Sequence, residues 1–501
     1  MATLTSHRLL PMCDLYEEYL RDESRLFGSA EYIAFPENEG EVAEIMQYAA
    51  AEKLPVTVQG SRTGITGAAV PSRGLVLNLS RMNRMLSIGD TNAEGCIATV
   101  ESGMLCAQLS DELARRRLLY FFAPDPTETS ASLGGIFACN AQGIAAMRYG
   151  KAGGHVLGLR MVQWDGSILE LHRGECVFDK NGCTLPDGRQ MVLPYMDYAR
   201  SVESLSPAVG SDMIDLLAGS EGMLGIVTQL TLQLLPIPNQ QWGVLFFFRT
   251  LSGSYEFMNQ TETLEELTAR IVCMEFFDEP SLELAAHQKT VMSKLKAIPD
   301  MPEDCCCAVY IELEAGSEEA AEELLMSLLG FFEEAGGKET DSWAACGLQE
   351  MEKFRLLRHA VPEGVNNKVD TIRQTRPAMH KIALDFSCTA LSPGELIEKY
   401  RLALAESGVD GVIFGHAATR HLHVNLLPLS HEEETAAKQL VVQLAGEIAA
   451  LGGCLAEENG IGKLKNTLLS PYISAEQRQV MVAVRNFFDP EKLLNPHNML
   501  P

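Results

Sequence analysis

The run GHAATRHLHVN, residues 415–425, sets His416, His421 and His423 within eight positions of an otherwise apolar stretch. Imidazoles at that density can ligate a metal, exchange protons near neutral pH, or simply occupy a strand and a turn.

Glycine supplies the second chemical theme. GSRTGITGAAVP, residues 60–71, follows directly on the strand-like PVTVQ. Glycines let the backbone approach a ligand, and successive amide N–H groups form a nest for an anion such as a diphosphate. The same loop read alone is equally a tight connection. It is neither a Walker A loop nor a G-x-G-x-x-G dinucleotide turn. A second cluster spans 124–158, where Gly134, Gly135, Asn140, Gly143 and Tyr149 interrupt small-residue segments suited to wrapping a flat, extended ligand. A third, GSEGMLGIVT at 219–228, runs straight into a strand.

These groups must be positioned by an alternation of strands and helices. AEYIAFP, PVTVQG, GLVLNLS, GCIATVESG, GLRMVQWDGSILEL and GIVTQLTLQLLP read as strands, with a helix over Glu39–Lys53 and a hairpin signal at Asp165-Gly166. After Pro236 the rhythm changes to QWGVLFFFRT, ARIVCMEFFD, CAVYIELEAG, HKIALDFSC and GVIFGH, separated by acidic amphipathic helices. This predicts a second sheet with helices on one face. At 501 residues two or three domains are expected. The boundaries fall at a helical arm 1–30, a first domain 31–236, a second domain 237–430 and a largely helical segment 431–501.

Net charge of −27 argues against nucleic acid and anionic membrane as partners. The thirteen cysteines form no C-x-x-C pair, so cluster and structural-zinc sites find no support. The run Cys305-Cys306-Cys307 reads as buried filler at a strand start. Without an export signal or a long apolar stretch, the expected setting is the cytoplasm.

Taken in order, VTVQGSRTGITGAAVP, SLGGIFACNAQG, LLAGSEGMLGIVT, GIGKLK and DPEKLLNP resemble the FAD-linked 2-hydroxyacid dehydrogenase branch of the vanillyl-alcohol-oxidase superfamily. That branch takes in D-lactate dehydrogenases, glycolate oxidase flavin subunits and D-2-hydroxyglutarate dehydrogenases. The resemblance runs from about residue 25 to the end. It implies an α+β fold: a PCMH-type FAD-binding domain of two α/β subdomains, an antiparallel-sheet cap, and a C-terminal segment returning to the FAD domain. It also implies a cofactor site. Gly60, Ser61, Arg62, Thr63, Gly64 and Ile65 would cradle the diphosphate. Pro124, Asp125, Gly134, Gly135, Asn140, Gly143 and Tyr149 would line the isoalloxazine and ribityl chain, and Glu221, Ile226, Val227 and Asn495 would complete the pocket. GSRTGITG lacks the histidine by which some members tether flavin, so FAD binding is expected to be non-covalent.

The resemblance assigns the remaining groups as well. Arg358 falls where the family grips the substrate carboxylate, and Lys381 matches a lysine facing the site. His416, His423 and Glu458 match two imidazoles and a carboxylate holding a divalent metal, zinc or else iron or manganese, which lowers the hydroxyl pKa. Two departures stand out. Ala418, Thr419, Arg420 and His421 replace the family's Gly-Asp-Gly-Asn turn. Asn459 replaces the histidine taken as general base, and a neutral amide accepts no proton. Three accounts stay open: His421 is the base; water or Glu457 accepts the proton; or the pocket serves another substrate.

The implied activity is hydride transfer from C2 of a D-2-hydroxy acid to flavin, with electrons passed to a non-nicotinamide acceptor. An electron-transfer flavoprotein, a quinone, an iron–sulfur partner subunit and oxygen are all compatible. Two competing readings are a redox-neutral transferase like alkylglycerone-phosphate synthase and a flavin-carrying subunit of a larger complex.

Overall fold

In the computed structural model, residues 1–8, 93–94, 125–127, 265–269, 377–378, 380–381 and 500–501 are outside the described part of the chain. Asp125 and Lys381 therefore lie outside the described residues. The chain divides into two units, residues 1–143, 150–237 and 456–501 forming one and residues 144–149 and 238–455 the other.

The first unit opens with β1 (Tyr32–Ala34), α1 (Glu39–Glu52), β2 (Val56–Gln59) and β3 (Leu75–Asn78). The three strands pair in parallel in the order β1-β3-β2, with the antiparallel pair Leu10–Pro11 at the outer edge. Asn38 caps α1, its side chain accepting from the Glu41 amide. The apolar stripe Val42, Ile45, Met46 and Ala49 packs against this sheet. The expected helical arm is short: among its described residues, 9–30, it holds a 3-10 turn, Asp14–Leu20, beside that edge pair.

A second sheet in this unit is antiparallel. It contains β4 (Met85–Asn92), β5 (Gly95–Glu101), β6 (Val156–Val162), β7 (Ile168–His172) and β8 (Ile226–Pro236), in the order β4-β5-β8-β6-β7. The Asp165-Gly166 turn joins β6 to β7, with Gly166 at φ 82°.

The other unit is built on one seven-stranded antiparallel sheet. Its strands are β9 (Gln240–Phe248), β10 (Ile271–Asp278), β11 (Cys307–Ala315), β12 (Ser342–Cys346), β13 (Ile382–Ser387), β14 (Gly411–His416) and β15 (His421–Leu426). They pair in the order β12-β9-β11-β10-β14-β15-β13. Of the run expected to be buried, only Cys307, which opens β11, is; Cys305 and Cys306 precede the strand and are half-buried.

Helices cover both faces of this sheet, a correction to the one-sided cap expected. On one face Leu245, Phe247, Phe277 and Ala308 join Leu284 of α4 (Glu279–Val291) and Met351, Phe354 and Val361 of the long helix Leu348–Thr375. On the other, Phe246 and Phe248 pack on Phe257 of α3 (Leu251–Thr263) and Phe332 of α5 (Glu318–Glu334), ring centroids 4.9 to 5.4 Å apart. Neighbouring phenylalanines on β9 point to opposite faces, so an unbroken apolar run requires cover on both sides.

With α6 as Leu348–Thr375, α7 as Pro393–Ser407 and α8 as His431–Ala450, the second boundary also shifts. Helix α8, placed by sequence in the terminal segment, belongs to this unit and packs on β13 and α7. Its buried Leu440, Leu444 and Ile448 leave it no other way to shield its apolar face.

Candidate active site

Strand register gathers the histidines. Glu275 on β10 lies opposite His416 on β14, and Asp385 on β13 lies opposite His423 on β15. His421 and His423, two apart on one strand, share a face. One ring nitrogen from each of His416, His421 and His423 lies within 4.8 Å of the others. The His421 and His423 rings meet edge to face at 4.8 Å, and His416 stacks near His421 at 5.5 Å.

Glycine at 415 is what allows this approach. Its φ is 114°, and a Cβ there would lie 2.8 Å from His423 Cδ2, so any side chain would push that ring aside.

Each of two imidazoles is seated on a buried carboxylate. His416 Nδ1 is 2.5 Å from Glu275 Oε1, and His421 Nε2 is 2.8 Å from Asp385 Oδ1. Glu275 is fully buried and Asp385 nearly so. Burial alone would raise the Glu275 carboxyl. The charges of His416 and Arg358 and their hydrogen bonds outweigh it and hold Glu275 well below the usual carboxylate range.

Arg358 comes from α6, buried at 5% exposure. Its Nε donates to Glu275 Oε2 at 2.8 Å, and Nη2 sits 3.5 Å from His416 Nε2. One turn earlier Arg355 makes a forked pair with Glu312 at 2.8 and 2.7 Å, and the Tyr310 hydroxyl donates to the same carboxylate. Glu314 continues the row, accepting from Tyr149 at 2.6 Å and pairing with Arg148 at 2.9 Å. Tyr149, expected on the cofactor side, thus belongs to the second unit.

Sequence reasoning missed Glu275, Asp385, Glu312 and Arg355. A signal for the acids existed: each stands inside a largely apolar strand, IVCMEFFD, IALDFS or CAVYIELEA. A charge buried there must be paired, and such pairs concentrate at functional sites.

In the first unit the three glycine clusters are stitched together. Ser61 Oγ accepts from Ser132 N at 2.9 Å, tying loop 60–65 to α2 (Leu133–Cys139), which begins with Gly134 and Gly135. Asn140 closes that helix at φ 48° and accepts from Gly153 N. Glu221 N donates to Ala138 O at 2.8 Å, tying the third cluster to the second. The buried Glu221 carboxylate accepts from the amides of Ile461 and Gly462. Burial nonetheless pushes its pKa up. Asn495 clamps the same region, accepting from Val58 N at 2.7 Å and donating to Glu221 O. Pro124 and Gly143 are buried, Ile226 is in the core, and Val227 accepts from Ser102.

Glu458 and Asn459 precede the 460–462 turn in this unit, where the Asn459 carbonyl accepts from Thr66. Glu457 Oε1 pairs with Lys151 at 2.6 Å.

Two tests of fit can be made. Arg62 Nη1 is buried without an acceptor among the described residues, while Nη2 binds Glu18. A buried donor beside a glycine loop suits a diphosphate oxygen, and at Gly64 nothing lies within 4 Å of where a Cβ would be. Converging imidazoles, two of them with a carboxylate behind the ring, suit a borderline divalent metal.

Residues 30–172 match the FAD binding domain family, and residues 246–499 match the C-terminal domain of FAD linked oxidases. The chain is 26% identical over 509 residues to a D-lactate dehydrogenase of Anaerostipes hadrus, covering 98% of this chain and 94% of the relative. It is 29% identical over 489 residues to a D-2-hydroxyglutarate dehydrogenase of Xanthomonas citri pv. viticola, covering 96% and 91%. A solved p-cresol methylhydroxylase with substrate bound superposes with a TM-score of 0.69 at 14% identity, covering 98% of this chain and 94% of that one, a likeness of fold.

Proposed function

The chain belongs to the FAD linked oxidases, and from that premise we propose that it oxidises a D-2-hydroxy acid of the lactate, glycolate or 2-hydroxyglutarate kind to the 2-oxo acid. The observation that carries the reading is Arg358, a buried guanidinium braced by Glu275 beside three converging imidazoles. FAD, when bound, takes the C2 hydrogen as hydride. Loop residues Gly60 to Ile65 would hold its diphosphate non-covalently, with Gly134, Gly135 and Asn140 along its length.

A divalent metal, when bound, lowers the pKa of the substrate hydroxyl. His416 and His423, with Glu458 as the family resemblance implies, would hold it. Arg358 would grip the substrate carboxylate. Glu275 keeps that fork oriented, so the cation does not reorganise when substrate arrives. Lys381 is proposed to assist in holding the substrate, as the family resemblance implies. Asn459 can hydrogen-bond but not accept a proton, which leaves His421 and Glu457 as the protein's candidate acceptors. The hydroxyl loses its proton to one of these acceptors and C2 loses its hydrogen as hydride, leaving the 2-oxo acid, and the two electrons would then pass to an electron-transfer flavoprotein, a quinone, an iron–sulfur subunit or oxygen.

The test is a turnover assay with D- and L-lactate, glycolate and D- and L-2-hydroxyglutarate, using a redox dye as acceptor. The expected result is D-selective dye reduction with one 2-oxo acid formed per dye reduced. No reduction with any of these acids, by protein that carries FAD, would overturn the proposal.

A further inference from the structure

We propose that His421 is a third imidazole ligand to the metal, and that Asp385 is the positioning residue that fixes its ring. The inference deepens the metal assignment to His416 and His423 and rests on it. A ring nitrogen of His421 belongs to the same 4.8 Å cluster as theirs. The ring is fully buried and completes a triangle with its two neighbours, edge to face with His423 at 4.8 Å and near-parallel to His416 at 5.5 Å, while those two are themselves 5.5 Å apart.

Asp385 decides the tautomer. Its Oδ1 accepts from His421 Nε2 at 2.8 Å, so the proton resides on Nε2 and the lone pair on Nδ1, the nitrogen a metal would meet. Glu275 engages His416 at the opposite nitrogen, Nδ1, which assigns Nε2, 3.5 Å from Arg358 Nη2, to the metal. A carboxylate behind each imidazole is the arrangement that orients histidines on metals and raises their basicity.

A proton acceptor has a different requirement. It must reach the substrate hydroxyl with a lone pair not already committed, whereas a lone pair aimed among two other ligand nitrogens is taken once the ion is bound. Glu457 or water is then left to accept the proton. Where the family turn has asparagine, His421 substitutes a stronger nitrogen donor, making the site richer in imidazole and the metal harder to remove.

The test compares full-length wild type, His416→Ala, His421→Asn, His421→Gln and Asp385→Asn. Each is checked for FAD content and thermal unfolding, then loaded with zinc or cobalt. Metal content, chelator competition and the visible bands of the cobalt form are read. The expected pattern is loss of metal in His416→Ala. Both His421 variants should bind roughly 10- to 100-fold more weakly with altered cobalt bands, and Asp385→Asn about 10-fold more weakly. If those three variants match wild type in affinity and cobalt spectrum while His416→Ala loses metal, His421 is no ligand and the metal assignment stands. Wild type that takes up no stoichiometric metal overturns both.

Discussion

Arg358 shows how a buried charge becomes usable. A guanidinium withdrawn from water is costly unless paired, and Glu275 supplies the pair while His416 shares the same carboxylate. Because the fork is fixed through Nε, its remaining N–H groups present a defined geometry. Arg358→Lys keeps the charge and loses that fork, so kcat/KM for the hydroxy acid should fall roughly 10- to 100-fold, mainly through KM, with FAD content unchanged. Unchanged steady-state kinetics would remove Arg358 from the substrate. At this scale the sequence marks the side chains that stand in recognisable motifs, His416, His421, His423 and Arg358. It hides Glu275 and Asp385, because an isolated acid in a strand declares its role only once register shows what lies opposite it.

At the scale of elements, the strands of the second sheet were legible as apolar runs, but which faces they bury was not. A continuous run such as VLFFF reads alike whether one or two helical layers await it. The rings of Phe246, Phe248, Phe257 and Phe332 make the second layer a core in its own right. Phe332→Ala should therefore cost about 3–5 kcal/mol in denaturant unfolding. A loss under about 1 kcal/mol would show that this layer is not load-bound to the sheet. Helix α8 carries the same lesson: its amphipathic pattern was visible, but the partner that receives its apolar face was fixed by contacts far away in sequence.

At the scale of the whole molecule, one buried acid ties stability to pH. Asp278 caps α4 through Ser281 and accepts from Ile413 N at 2.8 Å. Burial nevertheless pushes its carboxyl up to about 6. The folded value lies above the unfolded one, so the protonated form is the more stable in the fold. Stability is greatest below the ordinary carboxylate value and declines as pH rises from there through about 6, by about 3 kcal/mol in all. Asp278→Asn removes that titration. The unfolding free energy of wild type relative to this variant should drop by about that amount between about pH 3 and about pH 7, and a flat difference would contradict the assignment.

The ordered glycine motifs made the FAD-binding half readable in advance, because close backbone approach restricts residue type. The second unit depends on pairings between strands distant in sequence and was readable only where a motif survived. The most direct test of the account is the absorbance of the bound flavin, followed without oxygen on adding a D-2-hydroxy acid, before and after metal is stripped by a chelator. The account predicts bleaching by the D acid and not the L acid, lost on stripping and regained when a divalent metal is returned. A flavin that dithionite still reduces, but that no 2-hydroxy acid bleaches even with metal present, would contradict it.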